Sequence, residues 1–289
     1  MTTSVSIYDK KRRPGDIILL VLIYACAFLA VLLLVGIIGY VIYRGLPSIN
    51  WDFISKAQSA LEGTFGILPN IINTIYIIVI TLVIATPIGI GSAIYLNEYA
   101  KGGKLVRLIE FTTETLSGIP SIIFGLFGMV FFGNVLGLGF SILCGALTLT
   151  IMILPIITRT TQEALKTVPE SYRSGALGIG ATKWYMIRTI ILPSAIPGII
   201  TGVILSIGRI VGESAALLFT AGSGYLMVHN WLTHPLSPGG TLTIQMYLSM
   251  TKAKYDDAFG IAFVLIIIVL AINLLTKVLS RKLDVNKEK

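Results

Sequence analysis

Long stretches without a charged residue dominate this chain and restrict the folds open to it. Ile17 to Tyr43 contains no charge, and neither does the 44-residue interval between Glu114 and Arg159. Crossing the hydrocarbon of a bilayer takes about 20 apolar residues in a helix, because every backbone N–H and C=O there must be satisfied within the segment. The first run therefore reads as one span, 17–43. The longer interval holds parts of two, about Arg107–Phe132 and Phe140–Thr158, separated by a structure-breaking cluster from Gly133-Asn134 to Gly139. Pro69–Leu96, Pro193–Ala221 and Ala258–Leu279 supply three more. Pro87 and Gly89 are expected to bend the second span, and Pro120 to kink the third. Gly222–Asp257 is too broken by Pro235, Pro238 and Gly239-Gly240 to cross. The expectation is an all-α integral membrane protein with six transmembrane helices. Only 12% of residues are charged, against roughly 25% in soluble domains.

The Lys and Arg residues test this alternation. Seventeen fall on one side of the six spans: Lys10 to Arg13, Lys101, Lys104, Arg107, Arg159, Lys166, Arg173, Lys183, Arg188, Lys277, Arg281, Lys282, Lys287 and Lys289. Four fall on the other, namely Arg44, Lys56, Lys252 and Lys254, and Arg209 is the remaining one of 22. Cytoplasmic loops carry the excess of positive charge, so both termini are placed in the cytoplasm. The net charge of +8 is thereby assigned to membrane topology. No Lys/Arg stripe is interleaved with aromatics, and nucleic acid is not an expected partner; membrane lipid is. The apolar run 17–43 is too long for a signal peptide and has no small-residue cleavage site at its end, so it reads as a retained helix. Trp51, Trp184 and Trp231 read as interface anchors, and Glu98, Glu110 and Glu114 as interfacial charges near Lys101, Lys104 and Arg107. Cys26 and Cys144 lie in apolar runs, and His229 and His234 in a Pro/Gly-rich stretch without metal-ligand spacing, so no metal is expected.

Two segments carry chemistry. In the cytoplasmic block, Pro169 suits the first turn of a helix, with Glu170 favourable at its positive end. Gly178 and Gly180 can end that helix, and Thr182 can cap a second one through Arg188 before Pro193 enters the membrane. On the physics of the residues alone, a solvated amphipathic loop is the favoured reading of this block. Within the fifth span, Gly208-Arg209-Ile210-Val211-Gly212-Glu213-Ser214 holds an Arg and a Glu at i and i+4, so both are expected on one helical face. Arg209 lies roughly 24 Å along the helix from Pro193, beyond the bilayer centre. Intramembrane charges are costly and are functional candidates. A guanidinium matches a tetrahedral oxyanion, and a neighbouring carboxylate can accept a proton from protonated phosphate that sulfate lacks. The competing explanation is an ion pair that fixes helix packing. Gly198/Gly202 and Gly208/Gly212 have small-xxx-small spacing, which favours close helix approach.

The cytoplasmic block resembles the coupling loop of ABC-importer permeases: Ser174-Gly175-Ala176, Gly180 and Ile190-Ile191-Leu192-Pro193 match in register, with Ser174 and Gly175 standing where the family pattern has Glu and Ala. Thr115 to Gly128 is similar to the Gly-x-Pro-Ser-x-x-x-Gly segment of phosphate-importer permeases. Gly208 to Ser214 is similar to their Gly-Arg-x-x-Gly-Glu-Ser/Thr segment, and Ala215 to Gly222 favours the A-type subunit. The resemblance implies a type I ABC-importer permease fold over 68–281, after a cytoplasmic N-terminus (1–16), the first transmembrane helix and an external loop (44–67), and before a cytoplasmic tail (282–289). It implies a coupling loop within 163–192 (Ser174, Gly175, Ala176, Gly180, Leu192 and Pro193) and a substrate path at Arg209 and Glu213. It further implies a multi-pass subunit of the bacterial cytoplasmic membrane that forms half of an alternating-access path for inorganic phosphate. The implied partners are a homologous C-type permease, an ATPase dimer and an extracytoplasmic phosphate-binding protein. This chain has no Gly-x-x-x-x-Gly-Lys-Ser/Thr loop, so it is expected to be no enzyme and to hold no cofactor, ATP being used by the partner. Molybdate or sulfate import, or a secondary transporter, are the alternatives.

Overall fold

The computed structural model describes residues 14–58, 64–100, 102–228 and 230–283. The positions of Lys10 to Arg13, Glu62, Lys101, His229, Lys287 and Lys289 lie outside these. The chain forms α1 (Pro14–Gly45), α2 (Trp51–Ser55), α3 (Leu68–Ile94), α4 (Lys104–Gly118), α5 (Ser121–Gly128), α6 (Ile142–Lys166), α7 (Glu170–Gly178), α8 (Lys183–Met186), α9 (Leu192–Val211), α10 (Ala215–Thr220), α11 (Leu242–Thr251) and α12 (Tyr255–Leu283). Among the described residues, five helices are long and apolar enough to cross a membrane, and a bent pair makes a sixth if it counts as one span.

That pair replaces the expected kinked third helix. The chain turns by 104° between α4 and α5. Pro120 adopts an extended ψ of 138° ahead of Ser121, so the helix stops and restarts. A proline disfavours helical geometry in the residue before it, and Ile119 is accordingly extended, with ψ 131°. The topology survives, because the pair still connects the end of α3 to the start of α6. Pro87, by contrast, lies inside an uninterrupted α3.

Three further expectations shift. The fourth span reaches Lys166, so Arg159 and Glu163 belong to α6. The second cytoplasmic helix does not stop at Arg188 but continues into the membrane, giving one helical stretch over 183–211. The fifth span ends at Val211, and α10 is a separate helix.

α6 is packed between α3 and α9, and α5 and α10 close around it. Glycines permit the tightest contacts. A Cβ at Gly198 would collide with Ala164, and one at Gly202 with Thr160. Apolar contact alone gives little drive for association in lipid, so such approaches matter. α1 packs against α12 and is otherwise open; Arg44 pairs with Asp256 at 3.3 Å and lies over the Phe259 ring at 5.5 Å.

The external segment 222–241 does not cross. It is pinned to the start of α3 by buried polar groups. Asn70 and Asn73 donate to the Gly240 carbonyl at 2.9 and 3.2 Å. His234 lies 2.8 Å from Asn73 Oδ1, and Tyr76 donates to the Trp231 carbonyl at 3.0 Å. With the Asn73 amide already donating, Nε2–H of His234 is the donor to Oδ1. Burial lowers the His234 pKa.

Gly198→Val should force α6 and α9 apart and cost about 1–3 kcal/mol, seen as a lower melting temperature of the solubilised protein. Gly208→Ala, which meets nothing within 4 Å, should leave it unchanged. Because the folded state holds His234 below its ordinary value of 6.5, its contribution is complete above that value and is lost as the pH falls below it. Melting temperatures between about pH 7.5 and about pH 5.5 should fall less steeply for His234→Gln than for the unaltered protein.

Candidate functional site

Arg209 sits in the last turn of α9, where a cation is favoured by the helix dipole. Its side chain remains 46% exposed. Thr201, Leu205, Gly208, Arg209 and Gly212 form one exposed stripe at helical spacing, while the intervening Gly202, Ser206, Ile207, Ile210 and Val211 are buried. Glu213 lies beyond the helix end, so the two charges do not share a helical face as expected. They still meet, because the turn at Gly212 brings the carboxylate back to 3.8 Å from the guanidinium. That separation is an ion pair without a close hydrogen bond. Glu213 is only 5% exposed. Its Oε1 accepts the Ala216 N–H at 3.1 Å, and its carbonyl accepts the Thr243 hydroxyl at 2.9 Å. Glu213 therefore joins α9, α10 and α11, and Arg209 stands in front of it.

The spacing of Gly208 and Gly212 does not bring helices together: neither glycine faces another helix within 4 Å. An open stripe with room beside the guanidinium results. The glycines of the 115–128 segment act differently. A Cβ at Gly125 would lie 2.8 Å from the Ala216 backbone, and Gly128 faces Thr148. The Pro120 and Arg209 segments are thus packed against each other through α5 and α10.

The cytoplasmic block forms the expected helical pair. Glu170 lies in the first turn of α7, after Pro169. Its end is a Schellman turn: Gly180 N–H bonds to the Leu177 carbonyl and Ala181 N–H to the Ala176 carbonyl, both at 3.0 Å. Gly180 adopts φ +84°, the left-handed region that favours glycine. Thr182 accepts the Tyr185 N–H at 3.3 Å and caps α8. Ala176 is buried in a cytoplasmic core with Ala93, Leu165, Met186, Ile187 and Ile191. Ser174 and Gly175 are exposed, and Ser174 bonds only to carbonyls of its own helix, at 3.2 and 3.3 Å. Leu192 and Pro193 continue the helix inward, half-buried.

Two features were missed. Tyr172, Leu177, Ile179, Trp184 and Tyr185 are all at least half exposed on this one cytoplasmic element, and Ile179 is 86% exposed. A cluster of apolar side chains in a polar loop signals an interaction surface rather than a solvated face. Trp184 belongs to it. The other is Glu98, which is not an interfacial charge. It is buried and paired with Arg173 at 2.9 Å. Its counterpart lies 75 positions away, out of reach of any local pattern. Glu114 and Glu163 instead flank Arg159 at 3.9 and 3.7 Å, in an open hollow of about 270 Å³ between α4 and α6. Among the described residues no group of His, Cys, Asp and Glu could hold a metal ion.

Residues 85–287 match the family described as binding-protein-dependent transport system inner membrane component. The chain belongs to this family of ABC-importer permeases. It is a multi-pass membrane protein and a transport subunit. Among its relatives, a probable ABC transporter permease protein, YqgI of Bacillus subtilis, is 38% identical over 86% of this chain and 89% of the relative. The phosphate transport system permease protein PstA of Haemophilus influenzae is 30% identical over 96% and 98%. PstA of Xylella fastidiosa is 34% identical over 81% of each chain. The fold is shared with a bacterial ABC transporter involved in alginate import, at TM-score 0.67 and 19% identity, covering 94% of this chain and 99% of the other. The MetNI methionine ABC transporter also shares it, at TM-score 0.57 and 22% identity, covering 75% and 94%. The arrangement is thus the type I importer permease fold.

Gly180→Ala should cost about 1–2 kcal/mol, because the left-handed conformation brings a Cβ against the carbonyl. Hydrogen exchange should show lost protection at the Ala181 amide. Gly178→Ala, in open space at negative φ, should leave that amide protected.

Proposed function

We propose that this chain is the A-type permease subunit of an ATP-driven importer of inorganic phosphate. The reading rests on Arg209, a guanidinium in an otherwise neutral open stripe near the external end of α9, whose nearest polar contacts among the described residues are Glu213 at 3.8 Å and Met152 Sδ at 3.9 Å. With no close hydrogen bond to spend its donors on, it is free to offer its fork to a tetrahedral anion. Relatives named as phosphate transport permeases support the substrate.

The other half of the path comes from a homologous C-type permease facing the stripe. An extracytoplasmic phosphate-binding protein delivers the anion over the 222–241 segment. A dimeric ATPase binds the apolar face of α7 and α8 and uses the ATP, so this chain itself needs no nucleotide site or cofactor. ATP-driven closure of the ATPases pushes on α7, and the continuous helix through α8 and α9 carries the push toward Arg209. Phosphate then meets a transient cationic site, weak enough to release it. Glu213, buried behind the guanidinium, limits that affinity by partly neutralising it. It can also take a hydrogen bond from a protonated phosphate.

Loss of charge-assisted hydrogen bonds to an anion costs about 1.5–3 kcal/mol, or about tenfold to hundredfold. Arg209→Gln and Arg209→Lys should reduce labelled-phosphate uptake by that order while the subunits still assemble. Normal uptake in both variants would take Arg209 out of the path. Displacement of labelled phosphate by sulfate or molybdate at equal concentration would point to a different anion.

A further inference from the structure

Arg173 lies on the inner side of α7, 12% exposed, against a Glu98 side chain that is 4% exposed. Its Nε–H and one Nη2–H donate to Glu98 Oε1 at 3.2 and 2.9 Å. The other Nη2–H donates to the Leu165 carbonyl at 2.9 Å, and Nη1 donates to the Val168 carbonyl at 2.9 Å and to Glu170 Oε2 at 3.3 Å. These five contacts match the five N–H donors a guanidinium possesses. The acceptors belong to different elements. Glu98 lies in the wide turn after α3, Leu165 in the last turn of α6, Val168 in the linker, and Glu170 begins α7. Lys183, at the start of α8, donates to the Glu98 carbonyl, and its ammonium lies 5.0 Å over the Tyr99 ring. Asn97 donates at 2.8 Å to Glu98 Oε1, the carboxylate oxygen that Arg173 also holds.

Four of the five contacts of Arg173 go to part-buried acceptors and the fifth to the exposed Glu170 carboxylate of its own helix, so all of its donors are engaged within the protein while the apolar residues of α7 and α8 face out. The small core beneath, with Ala93 from α3, Leu165 from α6, and Ala176 and Met186 from α7 and α8, holds the same elements together. Apolar contacts of this kind can slide. A buried ion pair cannot, because parting it leaves an uncompensated charge in low dielectric.

We propose that Glu98 and Arg173 are positioning residues that make α7 and the cytoplasmic ends of α3 and α6 move as one body. A push on α7 then reaches the three-helix core directly, in addition to the covalent route through Gly180 and α8. The proposal rests on the reading of α7 as the docking element of an ATPase.

Spin labels at the exposed Ser171 on α7, which is not one of the apolar residues assigned to the docking face, and at the exposed Tyr95 just past α3 would report it, after Cys26 and Cys144 are replaced. In the assembled importer with native Glu98 and Arg173, the label distance should be the same without nucleotide and in the vanadate-trapped state. With Glu98→Gln it should shift or broaden on trapping. Phosphate uptake per ATP hydrolysed should fall about tenfold in Glu98→Gln and in Arg173→Gln, and no further in the double variant; Arg173→Lys, which keeps the charge but not the fork, should restore it only in part. A changed distance with both native residues present overturns the proposal, since the clamp then opens during the cycle. So does uptake per ATP that equals the unaltered ratio, or hydrolysis and uptake that fall together in proportion to assembled complex, which is the signature of a merely structural pair. The labels need no assumption about the substrate. An importer that keeps these distances but takes up no phosphate overturns the assigned anion and leaves the clamp standing.

Discussion

Helices in lipid gain little from apolar contact, because a lipid tail is as good a neighbour as a leucine side chain. This chain meets that constraint by bringing backbones close at small residues. Gly198 and Gly202 seat α9 on α6, Gly89 seats α3 on Ile157 of α6, and Gly125 and Gly128 seat α5 on α10 and α6. α6 is the shared partner in most of these contacts, with eleven of its residues from Ile142 to Ile157 buried. The position of Arg209 follows from that packing. Once the glycine face of α9 is committed to α6, the stripe containing Thr201, Leu205, Gly208 and Arg209 must point away from it.

The polar groups inside the bundle fall into two sets at opposite ends. At the external end, Asn70, Asn73 and His234 attach a non-spanning segment to the mouth of α3, and the Ser237 carbonyl accepts the Ile142 N–H at the start of α6. At the cytoplasmic end, Glu98, Arg173 and Lys183 attach the α7–α8 elbow to α3 and α6. Between them most buried polar side chains are threonines, and Thr148 and Thr150 bond to the carbonyl one turn back in α6. Rigid attachment at both ends, with a middle held by shape, suits a molecule whose helices must tilt without losing register.

Arg209 and Glu213 show how a charge can be kept in such a bundle. Neither is a fully buried pair of the costly kind. The carboxylate is buried but receives a backbone N–H, and the guanidinium stays half exposed at a helix end that favours a cation. The ion pair and the transport reading are therefore not exclusive. Glu213 fixes the junction of α9, α10 and α11, and that junction presents Arg209.

The sequence alone determined where the apolar spans lie and in what order, because apolar length is set by transfer into lipid, which does not depend on the neighbours in the fold. It also determined the local chemistry of the elbow, since Gly180 and Thr182 act within a few residues of themselves. Tertiary structure decided whatever needed a distant partner. Pro120 could kink a helix or break it, and the folded chain has the 104° break, with α5 packed on α10. Glu98 could be a surface charge until an arginine 75 residues later closed over it. Spacing said that Arg209 and Glu213 were four apart, but helix termination at Gly212 set how they meet. Local rules act through backbone and solvent, whereas burial and pairing exist only after remote segments share one volume.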